Sequence, residues 1–89
     1  MIRQPITIIN KLGLHARAAA KLVETASRFE SRVQLVKDNR EVDAKSIMPV
    51  MMLAASQGTE VELKAEGPDE EQAVAALEEL INDYFGEGG

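Results

Sequence analysis

Between Glu60 and Glu66 apolar and charged residues take strict turns. Val61, Leu63 and Ala65 alternate with Glu60, Glu62, Lys64 and Glu66. A period of two puts neighbouring side chains on opposite faces of a strand, so this segment predicts a strand with one dry and one wet face. Residues 2–9 predict a second strand, with Ile6 and Ile8 inward and Thr7 between them. Pro5 cannot donate to a central ladder, so this strand starts after it or lies near an edge. Arg32 to Lys37 turns Val33 and Leu35 inward, and Arg40 to Ala44 turns Val42 and Ala44 inward. Asp38-Asn39 between them is a hairpin turn signal.

Three stretches switch to a helical period. Residues 16–28 place Ala19, Leu22, Val23 and Ala26 on one face, with Phe29 sealing the end. Residues 47–56 predict a shorter helix, with Gly58 as its C-terminal cap. Gly67-Pro68-Asp69 is a turn into a last helix over about 70–84. Its buried stripe is Val74, Leu77, Leu80 or Ile81, and Tyr84 or Phe85. Glu70 and Glu71 in its first turn suit the helix dipole. Glu87-Gly88-Gly89 is expected to fray. The order β-α-β-β-α-β-α, with strands apolar on one side only, predicts an α/β (α+β) open-faced sandwich. A four-stranded antiparallel sheet carries three helices on one face and meets water on the other. The chain shows no repeat or linker, and one domain over 1–89 is expected.

Composition narrows the chemistry. Aromatics make up 3% of the chain and hydrophobic residues 45%, so small aliphatic side chains must fill the core. With no cysteine there is no disulfide and no thiolate metal site, and one histidine excludes a histidine-rich one. A net charge of −5 argues against general nucleic-acid binding, which needs a basic surface. No apolar run reaches membrane-spanning length and no secretory pattern opens the chain, so a cytoplasmic location is expected.

The lone histidine stands where chemistry is expected. His15 lies between a strand and a helix, in Lys11-Leu12-Gly13-Leu14-His15-Ala16-Arg17. Ala16 onward is strong helix-forming sequence, which puts His15 at or next to the N-cap. The first amides of a helix have no internal partners, and the dipole makes that end positive. Such a position favours the neutral, nucleophilic form of an imidazole. A phosphoryl group on the ring would meet the N–H groups of Ala16 and Arg17, and the Arg17 guanidinium could grip its oxygens. Gly13 gives the loop a backbone freedom that helps turn the ring toward the helix end.

This stretch, with Asn10 before it, resembles the active-site signature of the HPr family, the histidine phosphocarriers of the bacterial phosphotransferase system. Lys45-Ser46-Ile47-Met48-Pro49-Val50-Met51 resembles the family's serine segment at the matching separation, and the resemblance spans the whole chain. It implies an open-faced sandwich and a carrier that is not itself an enzyme. Nδ1 of His15 would accept a phosphoryl group from enzyme I and pass it to an EIIA-type protein, with Arg17 assisting and no metal or cofactor required. It implies regulatory phosphorylation of Ser46 by an HPr kinase/phosphorylase. A monomer that uses neither nucleic acid nor membrane is expected, in the sugar-transport branch or in the nitrogen-regulation branch called NPr. Two departures stand out. Ala18 takes the place where proline is usual, and Pro49 lies early in the second helix.

That second helix carries two apolar stripes. Val50, Leu53 and Ala54 are assigned to the core. Ile47, Met48, Met51, Met52 and Ala55 are assigned to a partner surface, because so small a domain has no further layer to cover them. Methionine suits a surface that must fit several partners. Ser46 is expected to cap the helix by accepting a backbone N–H. Two other readings use the same residues. One is a non-phosphorylated small-ligand or protein-binding regulatory domain in which His15 is incidental. The other is an ester hydrolase, for which no second catalytic base is visible near His15.

Overall fold

The computed structural model describes residues 1–87. Its elements are β1 (Ile2–Thr7), α1 (Ala16–Ala26), β2 (Arg32–Lys37), β3 (Arg40–Asp43), α2 (Ile47–Met52), β4 (Glu60–Glu66) and α3 (Glu70–Asn82), followed by a 3₁₀ turn at Tyr84–Gly86. The four strands form one antiparallel sheet in the order β1-β4-β2-β3. β4, with the strictest alternation, lies inside the sheet. The register lines up its apolar positions with those of its neighbours. Ile6 faces Val61, Leu35 faces Leu63, and Val33 faces Ala65. All six are buried. A slip of one residue would turn each strand's apolar set to water, so this match fixes the pairing. Pro5 sits within β1, which is an edge strand and tolerates its missing N–H. Asp38 and Asn39 take φ of +50° and +66°, as a tight two-residue hairpin turn requires.

The helices cover one face of the sheet. Ala19, Leu22 and Ala26 of α1, Val50 of α2, and Leu77 and Ile81 of α3 join the strand residues in one core. Among the described residues no helix is long and apolar enough to cross a membrane.

Each helix ends earlier than its composition predicts: α1 tightens after Ala26 into local bonds from Arg28 to Thr25 and from Phe29 to Ala26, both at 3.2 Å, and tertiary contacts end the other two. α2 stops at Met52, not at residue 56. Ala54 turns left-handed at φ +53°, the Lys37 ammonium donates to the Leu53 carbonyl at 2.9 Å, and the Ala55 carbonyl is taken by the amide of Leu14 at 2.9 Å. Gly58 does not cap this helix. It lies in the turn before β4 and donates to the Ile8 carbonyl at 2.7 Å. α3 ends at Asn82, and Tyr84 and Phe85 turn left-handed at φ +57° and +53°. That hook drives Phe85 into the core, fully buried, and leaves Tyr84 partly exposed. Side chains other than glycine resist this backbone region, so burying the phenyl ring must outweigh the strain.

Candidate functional site

The loop from β1 to α1 is pinned from beneath. Leu14 is buried and its amide bonds the Ala55 carbonyl. Asn10 is fully buried; its Nδ2 donates to the Gly13 carbonyl at 2.9 Å, and its own carbonyl accepts the Gly13 amide at 3.2 Å. Gly13 has φ +66°, and a Cβ there would lie 2.5 Å from the Ala55 carbonyl oxygen and 2.8 Å from Ser56 Cα. Glycine is therefore needed for close approach as well as for the turn, because backbone on the far side cannot give way.

His15 follows at the N-cap of α1, with φ −73° and ψ 178°. Its carbonyl accepts the first intrahelical bond, from Ala19 at 2.8 Å. The amides of Ala16, Arg17 and Ala18 precede that bond and point outward from the helix head. The ring makes no capping bond. Together with Lys11, Leu12, Ala16, Arg17, Lys21 and Glu87 it lines an open cleft of about 740 Å³. Arg17 is exposed and has no ion pair among the described residues. Three cations thus gather around His15 although the whole chain carries −5.

Glu87 is the residue that local pattern misses. Gly88 and Gly89 lie outside the described residues, but Glu87 itself is ordered by contacts and is not a frayed end. Its Oε2 pairs with His15 Nε2, and its Oε1 accepts from Asn10 Nδ2 at 3.0 Å. The Lys21 ammonium donates to the Phe85 carbonyl at 2.6 Å and ties the hook to α1. Burial works to raise the Glu87 carboxyl, but hydrogen bonds from Asn10 and His15, with the charges of His15 and Lys21, hold it below its ordinary value. The visible signal was Phe85, an aromatic one turn beyond the α3 stripe that must find the core and drag the following residues with it. His15 therefore does have a carboxylate partner, contrary to expectation. Among the described residues no Ser, Thr or Cys lines the cleft, so a hydroxyl or thiol nucleophile is not present there. Among the described residues no cluster of His, Asp and Glu could hold a metal.

The head of α2 is built differently. Ile47, Met48 and Met52 are exposed, at 39%, 64% and 61%. Met51 is half-buried against the core, and Ala55 is buried at 2% and presents no side chain to a partner. Both are drawn inward because the chain leaves the helix after Met52 and passes beneath the His15 loop. Val50 and Leu53 are core residues, whereas Ala54, expected there, is exposed at the left-handed turn. Ser46 occupies the N-cap, but its hydroxyl makes no capping bond. An N-cap oxygen reaches the amide two or three residues on. Pro49 removes one of the two usual donors and leaves only the Met48 amide, which the hydroxyl does not use.

The chain matches the PTS-HPr family model, described as the PTS HPr component phosphorylation site, over residues 2–83. Phosphocarrier protein HPr of Neisseria meningitidis serogroup A is 57% identical over 88 residues, covering 99% of each chain. The protein of that name from Cupriavidus necator is also 57% identical over 88 residues, again covering 99% of each. Among solved structures, HPr from Thermoanaerobacter tengcongensis aligns with a TM-score of 0.95 at 55% identity, covering 98% of both chains.

Proposed function

This chain belongs to the HPr family of phosphocarriers of the phosphotransferase system, and from that premise we propose that His15 is its phosphoryl acceptor. The observation that carries the reading is the placement of the ring. Nε2 is engaged behind it, Nδ1 has no hydrogen bond among the described residues, and the cleft in front holds Arg17. The Nδ1 lone pair attacks the phosphorus held by enzyme I, the donor's bond to phosphorus breaks, and its electron pair returns to the donor. The same steps reversed deliver the group to an EIIA-type protein. Arg17 and the amides of Ala16 and Arg17 stabilise the equatorial oxygens, where charge collects during transfer. Ala18 adds an amide where a proline would have none.

The protein is a substrate of both transfers and acts in the cytoplasm as one domain. A monomer suffices, because Asn10, His15, Arg17, Lys21 and Glu87 all come from one chain. Ile47, Met48 and Met52 supply apolar contact for brief docking, joined by Leu12, which is 68% exposed at the cleft. Ser46 is the regulatory site. Its hydroxyl is half-exposed and uncommitted, and a phosphate there would place charge beside the docking residues. The relatives named above are HPr proteins, and none supports the nitrogen-related branch over the sugar branch.

Incubation with enzyme I and phosphoenolpyruvate, followed by intact mass, tests the reading. One acid-labile phosphoryl group is expected, absent in His15→Ala. No gain with enzyme I of either branch would overturn it. With an HPr kinase and ATP, an acid-stable phosphate is expected, and its persistence in Ser46→Ala would refute the serine assignment.

A further inference from the structure

We propose that Glu87 is the positioning residue for His15: its carboxylate accepts the Nε2 proton, fixes the ring as the Nε2–H tautomer, and leaves the Nδ1 lone pair free to react. The contact of Glu87 Oε2 with His15 Nε2 is one link in a built chain. An ionised carboxylate only accepts hydrogen bonds, so the proton between the two belongs to the ring. The other oxygen is held by Asn10, which is itself held by the Gly13 carbonyl. The hook beneath is fixed by buried Phe85 and by Lys21 on the Phe85 carbonyl. The two side chains retain 28% and 12% exposure, so the pair is screened from water without being sealed. The family model matches residues 2–83 and the hook follows that segment, within the 88 residues aligned with the Neisseria meningitidis relative.

The consequence for transfer rests on the reading of His15 as phosphoryl acceptor; the tautomer does not. When Nδ1 bonds phosphorus the ring becomes cationic. The proton stays on Nε2, and Glu87 balances the new charge from a different edge of the ring. A carboxylate behind a reacting histidine acts this way in hydrolytic triads, where it orients the ring and stabilises the imidazolium without taking the proton. The charged groups around the ring are Lys11 from the loop, Arg17 and Lys21 from α1, and Glu87 from the hook. The three cations oppose the positive charge that the ring acquires, and Glu87 is the group that offsets them.

The test uses the full chain in three forms: native, Glu87→Gln and Lys21→Met. Nitrogen-15 NMR of the histidine is expected to show a protected Nε2–H proton in the native protein, exchanging faster in both variants. Phosphorylation by enzyme I is expected to slow roughly tenfold in kcat in Glu87→Gln, the size usual for a partner that orients a reacting group, with KM unchanged. Lys21→Met, which keeps the carboxylate and frees the hook, is expected to fall between. A native Nε2–H that exchanges freely, or a Glu87→Gln rate equal to native, overturns the proposal. A protected Nε2–H in a chain that enzyme I never phosphorylates overturns the acceptor reading and the positioning role with it, and leaves the hydrogen bond as a structural one.

Discussion

The molecule has two helix heads of the same outward design. His15 and Ser46 both occupy an N-cap with extended backbone, and neither side chain caps its helix. Beneath that likeness they are opposites. The head of α1 is braced by buried Leu14 and Asn10, by the segment after α2, and by the C-terminal hook. It opens a helix of 11 residues whose inner face is core. The head of α2 opens a helix of 6 residues with a proline in its first turn and methionines facing water. Chemistry needs a reacting atom held within a fraction of an ångström, whereas recognition of several partners needs a surface that can adapt. The difference teaches where this small domain spends its rigidity.

Breaking the brace should cost most. Gly13→Ala puts a methyl against the Ala55 carbonyl in a left-handed backbone region. Overpacking of this kind costs about 1–3 kcal/mol, readable as a lower urea midpoint. Transfer from enzyme I is expected to fall with it, since the loop must move to relieve the clash. Gly58→Ala, where nothing lies within 4 Å of a new Cβ, tests the contact against φ alone and is expected to cost less.

A charge on the loose head should leave stability alone and strike docking. Met48→Asp is expected to raise KM for enzyme I roughly tenfold, the size of losing one well-placed interface contact, with the urea midpoint unchanged. An unchanged KM would remove Met48 from the docking face.

Acid separates the two heads. The carboxyl of Glu87 is held below its ordinary value, so the folded state binds its proton less readily than the unfolded chain does. Its contribution is full above the ordinary carboxylate value and is lost as pH falls through the depressed one. Amide shifts of Ala16 and Arg17 are expected to follow that titration, and to lose it in Glu87→Gln. Those of Ile47 and Met48 are expected not to report Glu87.

The smallest effect comes from tightening α2. Pro49→Ala restores the amide that Ser46 lacks, and a regained cap is worth about 0.5–1 kcal/mol. Thermal unfolding of Pro49→Ala against Pro49→Ala with Ser46→Ala measures the cap. Equal melting temperatures would show that the hydroxyl does not use the restored donor.

Periodicity makes most of the fold legible. The alternation of β4, the inward Val33 and Leu35, and the apolar faces of α1 and α3 are local facts about spacing, and the register follows once they must share one core. The His15 loop is legible for the same reason, since its residues are neighbours in the chain. Glu87 is not, because it meets His15 across 72 residues and the left-handed run before it begins at Tyr84 and Phe85, with glycine only at Gly86. The early end of α2 is hidden likewise, decided by a bond from Leu14 to Ala55 that helix propensity cannot weigh. Only half of the uncapped Ser46 is legible: Pro49 announces one missing donor three residues ahead, but nothing in the sequence shows that the Met48 amide goes unused.

Gly13 leaves no gap between the segment that leads into His15 and the one that trails α2. A protein engineer who transplanted residues 10–17 into a foreign scaffold would carry off the nucleophile without the floor it stands on. The signature is portable only as a pair of strips, with Ala55 and Ser56 travelling alongside it.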